Sequence, residues 1–287
     1  MTIPEIKTVG VVGAGTMGHG IAWVSALSGY ETWMFDEFPD ALEAGRNKIL
    51  KGWERGIQKG RLTPEDRDAA AARLKTTASL DGLKACGLVV EAAPENVELK
   101  RDLFARLESL TAPETLLATN TSSISITKLA SATQSPDRVV GIHFWNPVPV
   151  LDIVELIRGL DTSDRTADTA RRWAESLGKD VVEAGDAPGF IGNRFLMPMV
   201  NEAIGVLDEG IGSAEDIDRV ANVGMAHPLG PLALADLVGL DTCLSIMEVL
   251  HQEFGDSKYR PSPLLRRMVE AGRLGRKSGR GFFTYSS

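Results

Sequence analysis

Apolar and polar positions along this chain fall into blocks with two different periods. Thr8-Val9-Gly10-Val11-Val12 is a short apolar run of strand composition, and Thr32-Trp33-Met34-Phe35 is a second. Between them Met17, Ile21, Val24 and Leu27 recur at helical spacing, and Gly29 marks a C-terminal stop. Further strands are predicted at Leu88-Val89-Val90, Leu116-Leu117-Ala118, Val139-Val140-Gly141-Ile142, residues 151–157 and Val181-Val182. The last two flank a helix with Ala167, Ala170, Ala174 and Leu177 on one face, closed by Gly178. Such alternation builds a mostly parallel sheet covered by helices. The pattern changes after Asp186-Ala187-Pro188-Gly189. From Phe190 onward the spacing is helical, apart from an extended end at 281–285. Pro198 predicts a kink in the helical run 191–209. Ser213 with Asp216 reads as a capping box opening a helix that buries Ile217, Val220 and Ala221.

The junction of the first strand and first helix is Gly13-Ala14-Gly15-Thr16-Met17-Gly18, a G-x-G-x-x-G turn. Gly13 permits the tight turn, Gly15 lets backbone approach a pyrophosphate, and Gly18 lets helix and strand pack closely. The helix N-terminus offers N–H groups and partial positive charge to phosphates. Asp36 ends the second strand about twenty residues on, where an acid binds a ribose 2′-hydroxyl. Glu37-Phe38-Pro39 supplies no arginine for a 2′-phosphate, so the pattern favours NAD over NADP. The fold class is therefore α/β: a Rossmann-like dinucleotide-binding domain over 1–187 and an all-helical domain over 188–287.

Composition narrows the partners. A formal net charge of −8 argues against nucleic acid and against an anionic membrane surface. The hydrophobic share, 43%, supports a real core. Cys86 and Cys243 read as buried thiols of a reducing compartment. Met1-Thr2-Ile3-Pro4-Glu5 lacks the pattern of a signal or transit peptide, and no apolar run approaches the ~20 residues of a membrane span. A cytoplasmic protein is expected.

Four histidines are candidates for chemistry. His19 reads as solvent-facing beside the glycine turn, His227 as a loop residue before Pro228, and His251 as a residue near a helix end. His143 differs, because it closes a strand at the edge where open parallel sheets bind ligands. Strand alternation places Glu155 on the same face as Leu151, Ile153 and Ile157. A carboxylate among apolar neighbours needs a partner, and an imidazole is an obvious one. Beside a dinucleotide site the pair suits a general base: imidazole takes an alcohol proton and the carboxylate fixes its tautomer.

Five segments make the whole chain resemble the L-3-hydroxyacyl-CoA dehydrogenases, close to the bacterial 3-hydroxybutyryl-CoA enzymes. They are Asn120-Thr121-Ser122-Ser123, His143-Phe144-Trp145-Asn146-Pro147, Pro188-Gly189-Phe190-Ile191-Gly192-Asn193-Arg194, His227-Pro228-Leu229-Gly230-Pro231 and Gly275-Arg276-Lys277-Ser278-Gly279-Arg280-Gly281-Phe282. The resemblance implies His143 as base, Glu155 as its carboxylate, and Ser122 and Asn193 as ligands of the substrate's 3-oxygen. It also implies that Asn146 sits beside the nicotinamide and that Glu95, Lys100 and Lys277 touch NAD. Lys59 matches a coenzyme A contact, and Lys48, Lys51, Arg55 and Lys59 would share one helix face. A solvated helix face explains that stripe equally well. A second coenzyme A contact is matched by Gly52, a departure from the usual small polar residue. Trp145 stands where phenylalanine is usual, and Gly192 where a branched residue is usual. These departures keep two alternatives open: a related dehydrogenase on another 3-hydroxy acid or a carrier-protein thioester, and a catalytically silent NAD-binding protein. The resemblance further implies an acyl-CoA substrate, no metal, and a homodimer through the helical domain, with Leu232-Ala233-Leu234-Ala235 as its apolar surface.

Overall fold

A computed structural model of the chain describes residue 3 and residues 5–285, so the N-terminal reading over Met1–Glu5 lies partly outside the described residues. The chain divides into two compact units, Met1–Ala187 and Pro188–Ser287. The first unit runs β1 (Thr8–Val12), α1 (Thr16–Leu27), β2 (Glu31–Phe35), α2 (Pro39–Gln58), α3 (Pro64–Arg73), β3 (Leu74–Thr77), β4 (Leu88–Glu91) and α4 (Val97–Leu110). It continues with β5 (Leu116–Thr119), α5 (Ile126–Ala130), β6 (Val139–Phe144), β7 (Ile153–Arg158), α6 (Asp164–Ser176) and β8 (Asp180–Gly185).

All eight strands form one sheet in the order β3-β2-β1-β4-β5-β6-β7-β8. The neighbours from β3 across to β6 pair in parallel. β7 turns back antiparallel to β6, and β8 runs parallel to β7. Connection length explains the reversal. Residues 145–152 are too few for a crossover helix, so β6 and β7 form a hairpin, whereas α6 supplies the crossover to β8. β4 and β5 are buried along their whole length, including their polar last residues Glu91 and Thr119. Apolar runs of this kind suit strands covered on both faces. β3 escapes a search for apolar runs because it is an edge strand with Leu74 alone buried.

α1 buries more than its four-residue stripe. Ile21 and Val24 are in the core while Met17 and Leu27 are half-buried, and Gly18, Gly20, Ala22, Ser25 and Ala26 are buried as well. α2 lies against α1 with Trp53 fully buried, and Trp23 meets Trp53 edge-on at 6.3 Å between centroids. A Cβ built on Gly52 would fall 1.8 Å from the Trp23 ring. Trp23 thus occupies the space a side chain at position 52 would need. Gly52→Ser should lower stability by about 1–3 kcal/mol through overpacking. A thermal melt should register this as a drop of several degrees, and the drop should shrink when Gly52→Ser is made in a Trp23→Ala background and compared with Trp23→Ala alone.

The second unit is helical: α7 (Gly192–Asp208), α8 (Ala214–Arg219), α9 (Pro231–Val238), α10 (Leu240–Phe254) and α11 (Pro263–Glu270). Its core gathers Met197, Ile204, Leu232, Leu240, Met247 and Leu265. α7 continues through Pro198 as one helix. At α8 the Asp216 N–H donates to Ser213 Oγ at 3.1 Å, as a cap requires. The reciprocal bond differs from a capping box, because the Ser213 hydroxyl donates to the Asp216 carboxylate at 2.7 Å. The expected burial is also corrected: Ala221 is buried, but Val220 is 58% exposed. Asp218 takes the inward position instead, accepting from the Leu232 and Ala233 N–H groups at the start of α9. Asp236 is buried too, and accepts from the Phe282 and Phe283 N–H groups and the Tyr285 hydroxyl. That carboxylate organises the C-terminal run, whose extended end makes isolated bridges and no strand. Among the described residues no helix is long and apolar enough to cross a membrane.

Candidate active site

The glycine turn tests its own three duties. Gly13 has φ +99°, and its N–H donates to the Phe35 carbonyl at 2.7 Å. A Cβ on Gly18 would fall 1.8 Å from the Gly13 carbonyl oxygen, so close packing demands glycine there. A Cβ on Gly15 would meet nothing within 4 Å. Space is thus open where α1 begins, as a pyrophosphate on its first N–H groups would need. Asp36 is fastened to this turn: it accepts from the Ala14 N–H at 2.9 Å and the Phe38 N–H at 3.1 Å. These features fit a dinucleotide. His19 is half-buried rather than solvent-facing, and its Nδ1 donates to the Gly15 carbonyl at 2.6 Å. Burial pushes its imidazole below the usual range, with the Gly15 bond opposing and Lys48 adding to the fall.

Beside the turn, at the ends of β4 and β5, lies a network that is buried at Glu91 and Lys100 and reaches the surface at Glu95. Glu91 and Lys100 are 0% and 1% exposed, with Nζ 2.6 Å from Glu91 Oε1. Lys100 also donates to the Ala93 carbonyl at 3.1 Å and stands 3.4 Å from Glu95. The other oxygen of Glu91 accepts from the Thr119 hydroxyl at 2.7 Å. Glu95 in turn gathers the Thr121 hydroxyl at 2.5 Å and the Ser122 and Ser123 N–H groups at 3.0 and 3.2 Å. Burial raises the Glu95 carboxyl, but Lys100 and these donors outweigh it and hold the group below the usual carboxylate range. Glu95 is therefore ion-paired with Lys100 and hydrogen-bonded to Ser122, joining the three in one set. Glu91 and Thr121, to which the motif reading assigns no role, hold it together.

On the β6–β7 hairpin His143 and Glu155 are register partners. Nδ1 and Glu155 Oε2 lie 2.7 Å apart, with Glu155 almost fully buried. An ionised carboxylate can only accept, so Nδ1 carries the proton and Nε2 is the basic nitrogen. The Phe144 N–H donates to Asn120 Oδ1 at 2.9 Å, tying the end of β6 to the end of β5. The Trp145 ring stands 6.3 Å from the imidazole. Asn146 is exposed in the hairpin loop. Lys59 follows the end of α2, and Lys48, Lys51, Arg55 and Lys59 are all exposed. Two of the candidate site residues, Asn193 and Lys277, belong to the helical unit. Asn193 is in the first turn of α7, and Lys277 pairs with Asp241 at 2.5 Å.

Comparison with known proteins identifies the family. Residues 8–187 match the NAD binding domain of 3-hydroxyacyl-CoA dehydrogenase, and residues 189–285 match the C-terminal domain of the same family. A probable 3-hydroxybutyryl-CoA dehydrogenase of Bacillus subtilis is 50% identical over 281 residues, covering 98% of each chain. The 3-hydroxybutyryl-CoA dehydrogenase of Bradyrhizobium diazoefficiens is 50% identical over 98% of this chain and 96% of its own. Among solved structures, the (S)-3-hydroxybutyryl-CoA dehydrogenase of Ralstonia eutropha superimposes with a TM-score of 0.95 at 50% identity, covering 98% of this chain and 100% of that one. Strand order, glycine turn and full-length similarity together make this chain a member of the 3-hydroxyacyl-CoA dehydrogenase family.

Proposed function

We propose that the chain oxidises an L-3-hydroxyacyl-CoA reversibly to the 3-oxoacyl-CoA, with 3-hydroxybutyryl-CoA as first substrate and His143 as general base. The observation that carries this reading is the 2.7 Å His143–Glu155 pair on the strand next to the Glu95–Ser122 set. Gly13, Gly15, Gly18 and Asp36 hold the adenosine and pyrophosphate half of NAD, and Glu95, Lys100, Asn146 and Lys277 serve the remainder. When bound, the nicotinamide supplies the hydride acceptor. His143 Nε2 removes the 3-hydroxyl proton, and Glu155 stabilises the resulting imidazolium. Ser122 and Asn193 orient the 3-oxygen. The exposed cations of α2, with Lys59, suit the phosphates of coenzyme A. Trp145 and Gly192 favour keeping one alternative in the test, a related dehydrogenase of another 3-hydroxy acid or a carrier-bound thioester.

The deciding assay is NADH oxidation with acetoacetyl-CoA, longer 3-oxoacyl-CoAs, and the carrier-protein and free-acid analogues, repeated with NADPH. Fast turnover of acetoacetyl-CoA with NADH supports the reading; preference for a non-CoA analogue replaces it. Cofactor choice rests on Asp36, whose charge repels a 2′-phosphate. Asp36→Ser is expected to narrow the NADH-over-NADPH preference in kcat/KM at least ~10-fold, about 1.4 kcal/mol. An unchanged ratio would assign the selectivity elsewhere.

The same reading includes a cytoplasmic location and a homodimer. Both cysteines are free and buried, and burial pushes both thiols up to about 12, which suits a reducing compartment. The dimer surface suggested by 232–235 needs correcting, because Leu232 and Ala235 lie in the unit's own core. Ile211, Val220 and Met225 are exposed instead, around a mostly apolar hollow of about 480 Å³. Light scattering tests the dimer.

A further inference from the structure

Residues 145–152 join the strand of His143 to the strand of Glu155, and they carry Asn146. They contain no strand or helix; the Val150 and Leu151 N–H groups turn back onto the Pro147 carbonyl, and other backbone groups need partners from outside the loop. One buried ammonium supplies two of these bonds. Lys179 lies between α6 and β8 with its side chain 3% exposed. Its Nζ donates to the Val148 carbonyl at 2.8 Å and to the Leu151 carbonyl at 2.8 Å, and stands 3.6 Å from the Asp152 carboxylate. The Asp180 N–H adds a bond to the Asp152 carbonyl at 2.5 Å. Burial pushes the Lys179 ammonium below the usual lysine range, with Asp152 opposing, so this cation is held in a desolvated position. The opposite side of the loop is seated on α1. Val148 is 1% exposed, and a Cβ on Gly20 would fall 2.9 Å from the Val148 Cβ. Gly20 is the second residue past the glycine turn, so the loop is clamped between the dinucleotide helix and Lys179.

We propose that Lys179 is a positioning residue for the reaction: by fastening the 145–152 loop it holds the His143–Glu155 hairpin and Asn146 in fixed relation to the glycine turn. The inference rests on His143 being the base. A lysine after a helix-ending glycine ordinarily lies in solvent, which makes a buried, doubly bonded one informative. Loss of its ammonium leaves two carbonyls without a donor, in a loop that has no ladder to fall back on. A misplacement of about 1 Å at reacting groups lowers rates by ~10²-fold.

The test compares parent, Lys179→Met, Lys179→Arg and His143→Ala as full-length proteins. NADH-binding sites are counted by fluorescence titration, and acetoacetyl-CoA reduction is expressed per NADH site. Lys179→Met should lower kcat per site by ~10–100-fold with KM changed less than ~3-fold, and Lys179→Arg should restore part of the loss. A purely structural lysine would reduce the number of NADH sites and leave kcat per site at the parent value, and that result overturns the proposal. If Lys179→Met does not fold, Lys179→Gln, which keeps one donor, reads the same two quantities. An inactive parent or a fully active His143→Ala overturns the underlying functional reading, whereas an active parent with an unaffected lysine variant overturns this inference alone.

Discussion

His143→Ala is expected to reduce kcat for acetoacetyl-CoA reduction by ~10²–10⁴-fold while NADH binding stays within about 2-fold of the parent. The reasoning is geometric. The proton lost or gained at the substrate oxygen needs a group whose basic atom is held in place. Glu155 holds Nδ1 from behind at 2.7 Å, so in the proposed reaction the other ring nitrogen is the one that takes the proton. Glu155 is buried and cannot itself meet substrate in this role, so it does not take over as base when alanine stands at 143. NADH binding should survive, because the glycine turn and Asp36 are built on β1, α1 and β2 and are tied together by the Ala14 N–H to Asp36 bond. Stopped-flow single turnovers would separate the chemical step from product release. A variant with near-parental single-turnover rate would remove His143 from the mechanism. One with weakened NADH binding and an unaltered chemical step would reassign it to the cofactor.

Much of this architecture is legible in the sequence, and the exceptions have physical causes. β1, β4, β5 and β6 announce themselves because strands covered on both faces must be apolar almost throughout. β3 does not, because an edge strand buries one residue and may be polar elsewhere. The His143–Glu155 contact is legible because a period of two places a carboxylate on an apolar face, where it must find a partner. The reach of Lys100 to Glu91 is not, since a lysine on α4 with helical spacing looks solvated until the strand end folds beneath it. Asp218 in α8 and Val220 just past its end invert the expected inside and outside there for a related reason. The Asp218 carboxylate is needed inward to cap α9, and local periodicity carries no information about a helix that begins at Pro231. The glycines divide in the same manner. Gly13, Gly15 and Gly18 are readable from their spacing, whereas Gly52 is explained only by Trp23, on a different helix.

The largest effect on stability is expected from Lys100→Met. Methionine nearly matches the volume of the stem but removes the cation from a carboxylate that is 0% exposed. Breaking a buried pair by deleting one partner typically costs about 3–5 kcal/mol, because the remaining charge is stranded in low dielectric. For a unit of this size that corresponds to a melting temperature lower by roughly 6–20 °C. Glu91 keeps the Thr119 hydroxyl and Ala93 N–H as donors, which limits the loss but cannot neutralise the charge. Part of the stability should return on acidification, where a proton neutralises the stranded group. Glu95 loses its cation at the same time, so the Ser122–Ser123 loop that bonds it should loosen, visible as faster amide exchange at those two residues. The double variant Glu91→Gln/Lys100→Met removes both charges and should melt above Lys100→Met alone, giving a coupling energy from the full cycle. A single variant that melts within about 2 °C of the parent would mean that the pair contributes little, and that the serine loop is held by its own turns rather than by the charges beneath it.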